Sequence, residues 1–310
     1  MEERPARSAR AAVVLLLLAL LGSGCWPSAG APEAARSGRP GTATPTPGRY
    51  ERYVALGDSY SAGPFVPTTD LAGGCLRSDH DYPHLLAQRL RVRRLVDVTC
   101  SGARTADLIR PQRPFPGSRV PPQLRPVTSG TDLVTVGIGG NDLDLFGTVV
   151  RTCTGLRGRQ PAGAPCTEEL RRRGFDVARA GATITRRVAA GLRAVRRRAP
   201  AARVLLVGYL RVVPARGGCR ALPLATGDYP LGRRVAATLD AALRRAARRA
   251  GVSYVDMDAA SRGHDVCAAR PWVNGSVTDR SRALAYHPLL AGMRADARQV
   301  LRVLAQDDGG

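Results

Sequence analysis

Apolar runs of strand length recur along the chain at Tyr53–Leu56, Leu95–Val98, Leu133–Val136, Val204–Val207 and Ser253–Val255, and segments of helical character separate them. This alternation argues for a parallel sheet covered by helices on both faces. The expected architecture is a three-layer α/β/α fold with a central, mainly parallel five-stranded sheet. In such sheets functional residues gather at the carboxyl ends of the strands. Helices are predicted over roughly 83–93, 167–199, 231–250 and 288–304. The stretches 147–166 and 212–230 read as long loops able to frame the mouth of a site. No internal repeat and no second domain stand out.

The N-terminus precedes this pattern with a different signal. Arg4, Arg7 and Arg10 come before an unbroken apolar run from Ala11 to Leu21, and Ala29-Gly30-Ala31 suits a cleavage site. That order reads as a secretory signal peptide over 1–31. Within it, Leu21-Gly22-Ser23-Gly24-Cys25 resembles a bacterial lipobox, although the leucine lies one position too far from Cys25. Acylation there would anchor the chain to the outer face of the cell membrane. Residues 32–48, rich in Pro, Ala, Gly, Ser and Thr, read as a disordered linker, and the folded domain is expected over 49–306. No later segment approaches the roughly 20 apolar residues of a membrane-spanning helix.

Besides Cys25 there are six cysteines, Cys75, Cys100, Cys153, Cys166, Cys219 and Cys267. An even number in an exported chain reads as three disulfides. The sequential pairing is favoured because each pair flanks a predicted loop, and no two cysteines have the close spacing of structural zinc ligands.

The formal charge of +22 comes entirely from arginine, for the chain contains no lysine. Runs such as Arg171-Arg172-Arg173, Arg196-Arg197-Arg198 and Arg244-Arg245 fall on the expected outer faces of helices. With aromatic residues only 5% of the chain, no platform for stacking bases is visible, so a nucleic-acid partner is not expected. Weak peripheral contact with anionic membrane or envelope polymers is the remaining use for the charge.

The chemistry begins where the first apolar run ends, at Gly57-Asp58-Ser59-Tyr60-Ser61-Ala62-Gly63. A serine at a strand end is a candidate nucleophile, but it needs a base and donors for a developing oxyanion. Cys100-Ser101-Gly102-Ala103 follows the second strand, and its glycine allows a backbone N–H to approach a ligand. Gly137-Ile138-Gly139-Gly140-Asn141-Asp142 follows the third, and it leads an amide side chain into the same crevice; its spacing is not that of a dinucleotide fingerprint. Histidine occurs only at 80, 84, 264 and 287. His84 lies on an apolar helix and reads as structural. His80, in Ser78-Asp79-His80-Asp81, suggests either a cation site or, better, a hydrogen-bonded turn. His264 sits beside Asp265 and Cys267, where it would order a disulfide loop or line the cleft. His287, followed by Pro288, remains as the base.

Taken together, Gly57-Asp58-Ser59-Tyr60-Ser61, Gly102, Gly139-Gly140-Asn141-Asp142 and His287-Pro288 stand in the order and at the separations of the SGNH, or GDSL, hydrolase superfamily, which residues 50–304 resemble. The resemblance extends to secreted actinobacterial esterases and lipases through Cys75-Leu76-Arg77-Ser78-Asp79-His80-Asp81-Tyr82-Pro83, Gly263-His264-Asp265 and the spacing of the six cysteines. It implies a flavodoxin-like fold, Ser59 as nucleophile and His287 as general base. It also implies an oxyanion hole of the Ser59 and Gly102 N–H groups with the Asn141 amide, and no metal or organic cofactor.

One departure concerns the third catalytic group. Many members carry an aspartate three residues before the histidine, where this chain has Leu284, and Asp279 is eight residues away. The backbone carbonyl of Leu284 is the expected substitute, giving a Ser–His dyad. Activity is expected to fall as pH drops through the pKa of the base, about 6.5 for an unperturbed imidazole.

The resulting expectation is a monomeric, secreted serine esterase or lipase that cleaves small-molecule or lipid acyl esters through an acyl-enzyme. A phospholipase, a polysaccharide O-deacetylase and an inactive envelope-binding module are the alternatives.

Overall fold

The computed structural model describes residues 49–114 and 117–308. The signal-peptide, Cys25 and linker expectations lie outside these residues. Five strands form one sheet in the order β2-β1-β3-β4-β5: β1 Arg52–Gly57, β2 Arg94–Asp97, β3 Leu133–Gly137, β4 Arg203–Val207 and β5 Ser253–Val255. Every pairing is parallel. Burial explains the composition: β1, β3 and β4 occupy the middle and are almost wholly buried, as the continuous apolar runs require, while the edge strands β2 and β5 keep partly exposed residues.

Two helices pack together on one face, α4 Val177–Arg198 and α5 Tyr229–Ala250. On the other face α2 Tyr82–Leu90 packs against the C-terminal α6 Leu290–Asp308. The shorter helices include α1 Ser59–Ala62 and α3 Pro165–Arg172, and a further four-residue helix spans Met257–Ala260. Among the described residues no helix is long and apolar enough to cross a membrane.

The structure differs from the helix expected over 167–199, which is two helices. Gly174 adopts φ +63, the left-handed conformation that ends α3. Asp176 then caps α4 by accepting the Arg179 N–H at 3.0 Å. The loop expected over 147–166 also differs, since Leu145–Arg159 winds through successive helical turns, including a π-helical stretch over Thr148–Cys153. Thr148 and Thr154 hold it by returning their hydroxyls to the Asp144 and Val150 carbonyls.

The disulfides pair sequentially, Cys75–Cys100, Cys153–Cys166 and Cys219–Cys267. The first joins the segment after β2 to the loop before α2, and the third joins the loop after β4 to the one after β5. The arginine runs are more engaged than a solvated face suggests. Arg196 and Arg198 donate to the Ala250 and Leu124 carbonyls, and Arg244 bridges Asp240 and Asp256.

Candidate active site

Strand order alone brings three of the four motifs together. Because β1 lies between β2 and β3, the segments that leave their carboxyl ends are neighbours, and β1 is where the connections diverge to either side. The ends are level: Gly57 is in register with Gly137, Asp58 N–H donates to the Gly137 carbonyl at 2.9 Å, and Cys100 N–H donates to that of Gly57 at 3.0 Å. Gln123 fixes the exit of β1 from below, exchanging hydrogen bonds with both the N–H and the C=O of Gly57.

Ser59 opens α1. Asp58 is its N-cap and accepts the Tyr60 N–H, and the Ser59 N–H belongs to the first-turn donors that an α-helix cannot satisfy internally. Its Oγ lies 2.8 Å from His287 Nε2. On the far side of the ring, Nδ1 lies 2.7 Å from the Ala285 carbonyl oxygen. A carbonyl can only accept, so Nδ1 carries the hydrogen and Nε2 presents its lone pair to the serine hydroxyl. The sequence therefore misplaced the supporting carbonyl by one residue. That of Leu284 instead accepts from His287 N–H and from the Asn274 amide. The difference arises at Tyr286, whose φ of +60 swings the chain so that Ala285, not Leu284, faces the ring.

His287 arrives on a loop, and the loop is held by hydrogen bonds to its backbone. Asn274 Nδ2 donates to the carbonyls of Val277, Ala283 and Leu284, and Asn274 N–H donates to that of His287 at 2.8 Å. The Tyr60 hydroxyl donates to the Tyr286 carbonyl at 2.6 Å while its ring leans on the imidazole. Burial pushes His287 down to about 4, with the Ala285 carbonyl pulling weakly the other way. A desolvated imidazole resists protonation, which moves this histidine below the unperturbed value.

Gly102 is the third residue of a turn closed by Ala103 N–H on the Cys100 carbonyl, with φ +78. That position of a type II turn needs positive φ, which is why a glycine stands there. Asn141 follows β3 and donates one amide hydrogen to the Ala103 carbonyl at 3.0 Å, which ties it to the Gly102 turn and leaves a second hydrogen on the same nitrogen. Asp142 locks the two segments together by accepting from both Thr105 N–H and Thr105 Oγ, with Arg187 on its second oxygen.

Tyr209, just past β4, was not anticipated. Its hydroxyl donates to Asp58 at 2.5 Å and accepts the Gly140 N–H at 2.8 Å, so one phenol spans the nucleophile turn and the glycines before Asn141. A Cβ on Gly140 would lie 2.9 Å from that ring, which explains the second glycine. Burial raises Asp58 to about 7, against the opposing effect of the Tyr209 hydrogen bond. A tyrosine at a strand's carboxyl end was the available signal.

The other histidines stand apart. His80 pairs with Asp79 at 2.5 Å on the surface, His84 bonds Asp81 at 2.7 Å, and His264 stacks on Trp272 with 3.9 Å between ring centres. Beside Asp142 and Thr105 begins a groove of about 570 Å³ between the turn Thr105–Leu108 and α4, floored by Ala106, Ala190 and Ala194 and rimmed by arginines.

The model of the GDSL-like Lipase/Acylhydrolase family matches residues 55–295. Lipase 2 of Streptomyces coelicolor is 41% identical over 286 residues, 90% of this chain and 92% of that protein. A lipase of Streptomyces rimosus is 34% identical, covering 77% of this chain and 81% of its own. Among solved structures, the extracellular lipase of S. rimosus superposes with a TM-score of 0.65 at 32% identity, over 82% of this chain and 98% of that one. Phospholipase A1 of Streptomyces albidoflavus NA297 gives 0.65 at 30% identity, over 83% and 99%. A serine hydroxyl bonded to a neutral imidazole, on a level three-strand ledge and in a chain with these relatives, belongs to a carboxylic ester hydrolase of the GDSL-like lipase/acylhydrolase family.

Proposed function

We propose that the protein is a secreted lipase or esterase that cleaves acyl esters through an acyl-enzyme, with Ser59 as nucleophile and His287 as general base. The observation that carries this reading is the 2.8 Å contact between Ser59 Oγ and His287 Nε2 with Nδ1 already committed to a carbonyl. That tautomer is the one able to take the serine proton.

As Oγ attacks the ester carbonyl, its proton passes to Nε2 and the carbonyl oxygen becomes an oxyanion. The Ser59 and Gly102 N–H groups and the Asn141 amide are its proposed donors. Collapse expels the alcohol, which takes the proton from Nε2 and leaves the acyl group on Ser59. Water then repeats the sequence with His287 again as base, releasing the carboxylic acid and free Ser59. The imidazolium formed at each step leans on a neutral carbonyl, a weaker support than a carboxylate.

For the acyl chain, the proposed site is the groove lined by Thr105, Ala106, Ile109, Asp142, Ala190 and Ala194, which follows directly in sequence from the Gly102 turn and Asn141 although neither residue lines it. Its arginine rim, Arg104, Arg110, Arg187 and Arg197, favours a phospholipid ester as a second reading, in keeping with the phospholipase A1 among the similar structures. Export rests on the N-terminal sequence signal, and a monomer is the simplest state of such an enzyme. A fluorophosphonate probe should label Ser59 alone, as read by peptide mass spectrometry, and Ser59→Ala should abolish both labelling and p-nitrophenyl ester hydrolysis. Hydrolysis retained by Ser59→Ala would overturn the assignment, and rates on triacylglycerol against phosphatidylcholine separate the two substrates.

A further inference from the structure

Behind the nucleophile helix, on the other side of Gly63, two carboxylates face each other with too few donors between them. Asp81 is the N-cap of α2 and its side chain is fully buried. Its Oδ1 accepts the His84 N–H at 2.9 Å and lies 2.7 Å from His84 Nδ1. Asp97 closes β2, with its side chain 5% exposed, and its Oδ1 accepts the Thr99 N–H at 2.8 Å. The remaining oxygen of each, Asp81 Oδ2 and Asp97 Oδ2, is buried and finds no donor among the described residues; burial and the facing Asp97 carboxyl group raise Asp81 well above the usual carboxylate range, so a proton held between the two carboxyl groups is what an ion would displace. Asp97 Oδ2 is directed at His84 Nδ1, 3.8 Å away. Arg77 is the nearby cation; its Nη1 donates to the Thr99 carbonyl at 3.0 Å, and its charge offsets only part of the burial and repulsion that raise Asp81.

A buried carboxylate oxygen without a donor costs several kcal/mol, and two that repel each other cost more. The single hydrogen on His84 Nδ1 can serve one of them at a time. One ligand atom from each of Asp81, His84 and Asp97 can be chosen so that all three lie within 4.8 Å of one another, and a small inward turn of the side chains brings them to the roughly 3.4 Å that donors about 2.1 Å from a tetrahedral ion require. His84 keeps its side chain 35% exposed, which gives an ion a path in and room for water as a further ligand.

We propose that Asp81, His84 and Asp97 bind one divalent cation of borderline softness, with Zn²⁺ as the fitting type, in a structural site separate from the catalytic dyad. Two carboxylate oxygens and an imidazole nitrogen are a zinc-like donor set, and the nitrogen disfavours calcium and magnesium. The ion replaces the proton held between the two carboxyl groups and the one that His84 shares with Asp81. It joins the carboxyl end of β2 to the start of α2, next to the Cys75–Cys100 disulfide. The same region supports α1, since Ser78 N–H donates to the Ala62 carbonyl at 2.8 Å, and a Cβ on Gly63 would lie 3.3 Å from that of Asp81. The cation would therefore stiffen the wall behind Ser59 without touching substrate.

The test uses the purified full chain, stripped with a chelator and titrated with ZnCl₂ by calorimetry and thermal unfolding. One equivalent should bind, and at about 100-fold excess over Kd the Tm should rise by roughly 5 °C or more. Asp97→Asn and His84→Ala should weaken binding at least tenfold and abolish the Tm rise, while His80→Ala, which removes the exposed His80–Asp79 pair, should keep both. Co²⁺ bound to the wild-type chain should show visible absorption distinct from the aqueous ion, which reads the site even where a variant fails to fold. Absence of stoichiometric binding, an aqueous Co²⁺ spectrum, or Zn²⁺ binding that survives Asp97→Asn and His84→Ala would each overturn the proposal and leave an ordinary carboxylate–histidine triad.

Discussion

Ser59 reaches the site on regular structure, whereas His287 reaches it on a loop that has none. The serine arm is a buried central strand, an N-cap and a helical turn, levelled against its neighbours by the backbone ladder and by Gln123. The histidine arm is a run of turns held by Asn274, the Tyr60 and Thr278 hydroxyls and the backbone. The first arm is over-determined by packing, and the second depends on a few bonds that act separately. Damage to the first should therefore appear mainly as lost stability, and damage to the second as lost turnover.

The largest effect removes the contact where the arms meet. His287→Ala should lower kcat by roughly 10³-fold or more in a p-nitrophenyl ester assay, and Ser59→Ala should add little when combined with it, because the pair acts as a unit. Next comes Asn141→Ala, with a fall in kcat of roughly 10²- to 10³-fold and little change in KM.

Smaller substitutions separate the arms. Asn274→Ala should reduce kcat by about tenfold, an estimate based on a displaced general base. Gln123→Ala should instead leave kcat close to wild type and cost about 1–3 kcal/mol in denaturant unfolding, because it strands the buried Gly57 N–H and leaves the Gly57 carbonyl with the Cys100 N–H alone. Equal losses of kcat in the two variants would end the contrast.

The smallest effect is a displacement along the pH axis. His287 is held down to about 4, so its basic form persists below the ordinary histidine range. The profile of kcat/KM should stay level as pH falls through 6.5 and drop only as it nears 4. Asp58 moves the other way, from 3.8 up to about 7. The folded protein keeps that proton where the unfolded chain has lost it, so this contribution is full below 3.8 and is lost as pH rises to 7. Asp58→Asn should remove that decline, seen as a gap between the stabilities of wild type and variant that changes between pH 4 and 7.

The same contrast explains what could be read from the residues. The strands were legible to within a residue because β1, β3 and β4 are buried on both faces and their apolar runs cannot mean much else. The positions of Ser59, Gly102, Asn141 and His287, which the structure pairs as Ser59 with His287 and Asn141 with the Gly102 turn, could be picked out because each sits at or near a punctuation mark, a glycine turn or a proline. Gly174 was a punctuation mark overlooked inside a helical pattern. Choosing among the carbonyls of Leu284, Ala285 and Tyr286 was beyond sequence reasoning, since the choice depends on the positive φ of Tyr286, a residue that ordinarily avoids it. Tyr209 was missed because its work depends on a hydrogen bond across 151 positions of the chain.

The Ala285 carbonyl has one more consequence. A carboxylate that steadies a catalytic histidine is a single target: one codon change removes it. A main-chain oxygen has no codon of its own, so position 285 can accept many side chains without losing the acceptor, provided the turn keeps its shape. The proposed base, His287, is thereby sheltered from point substitution at its acceptor, and it is exposed instead to insertions, deletions and cleavage in the segment from Asn274 to His287.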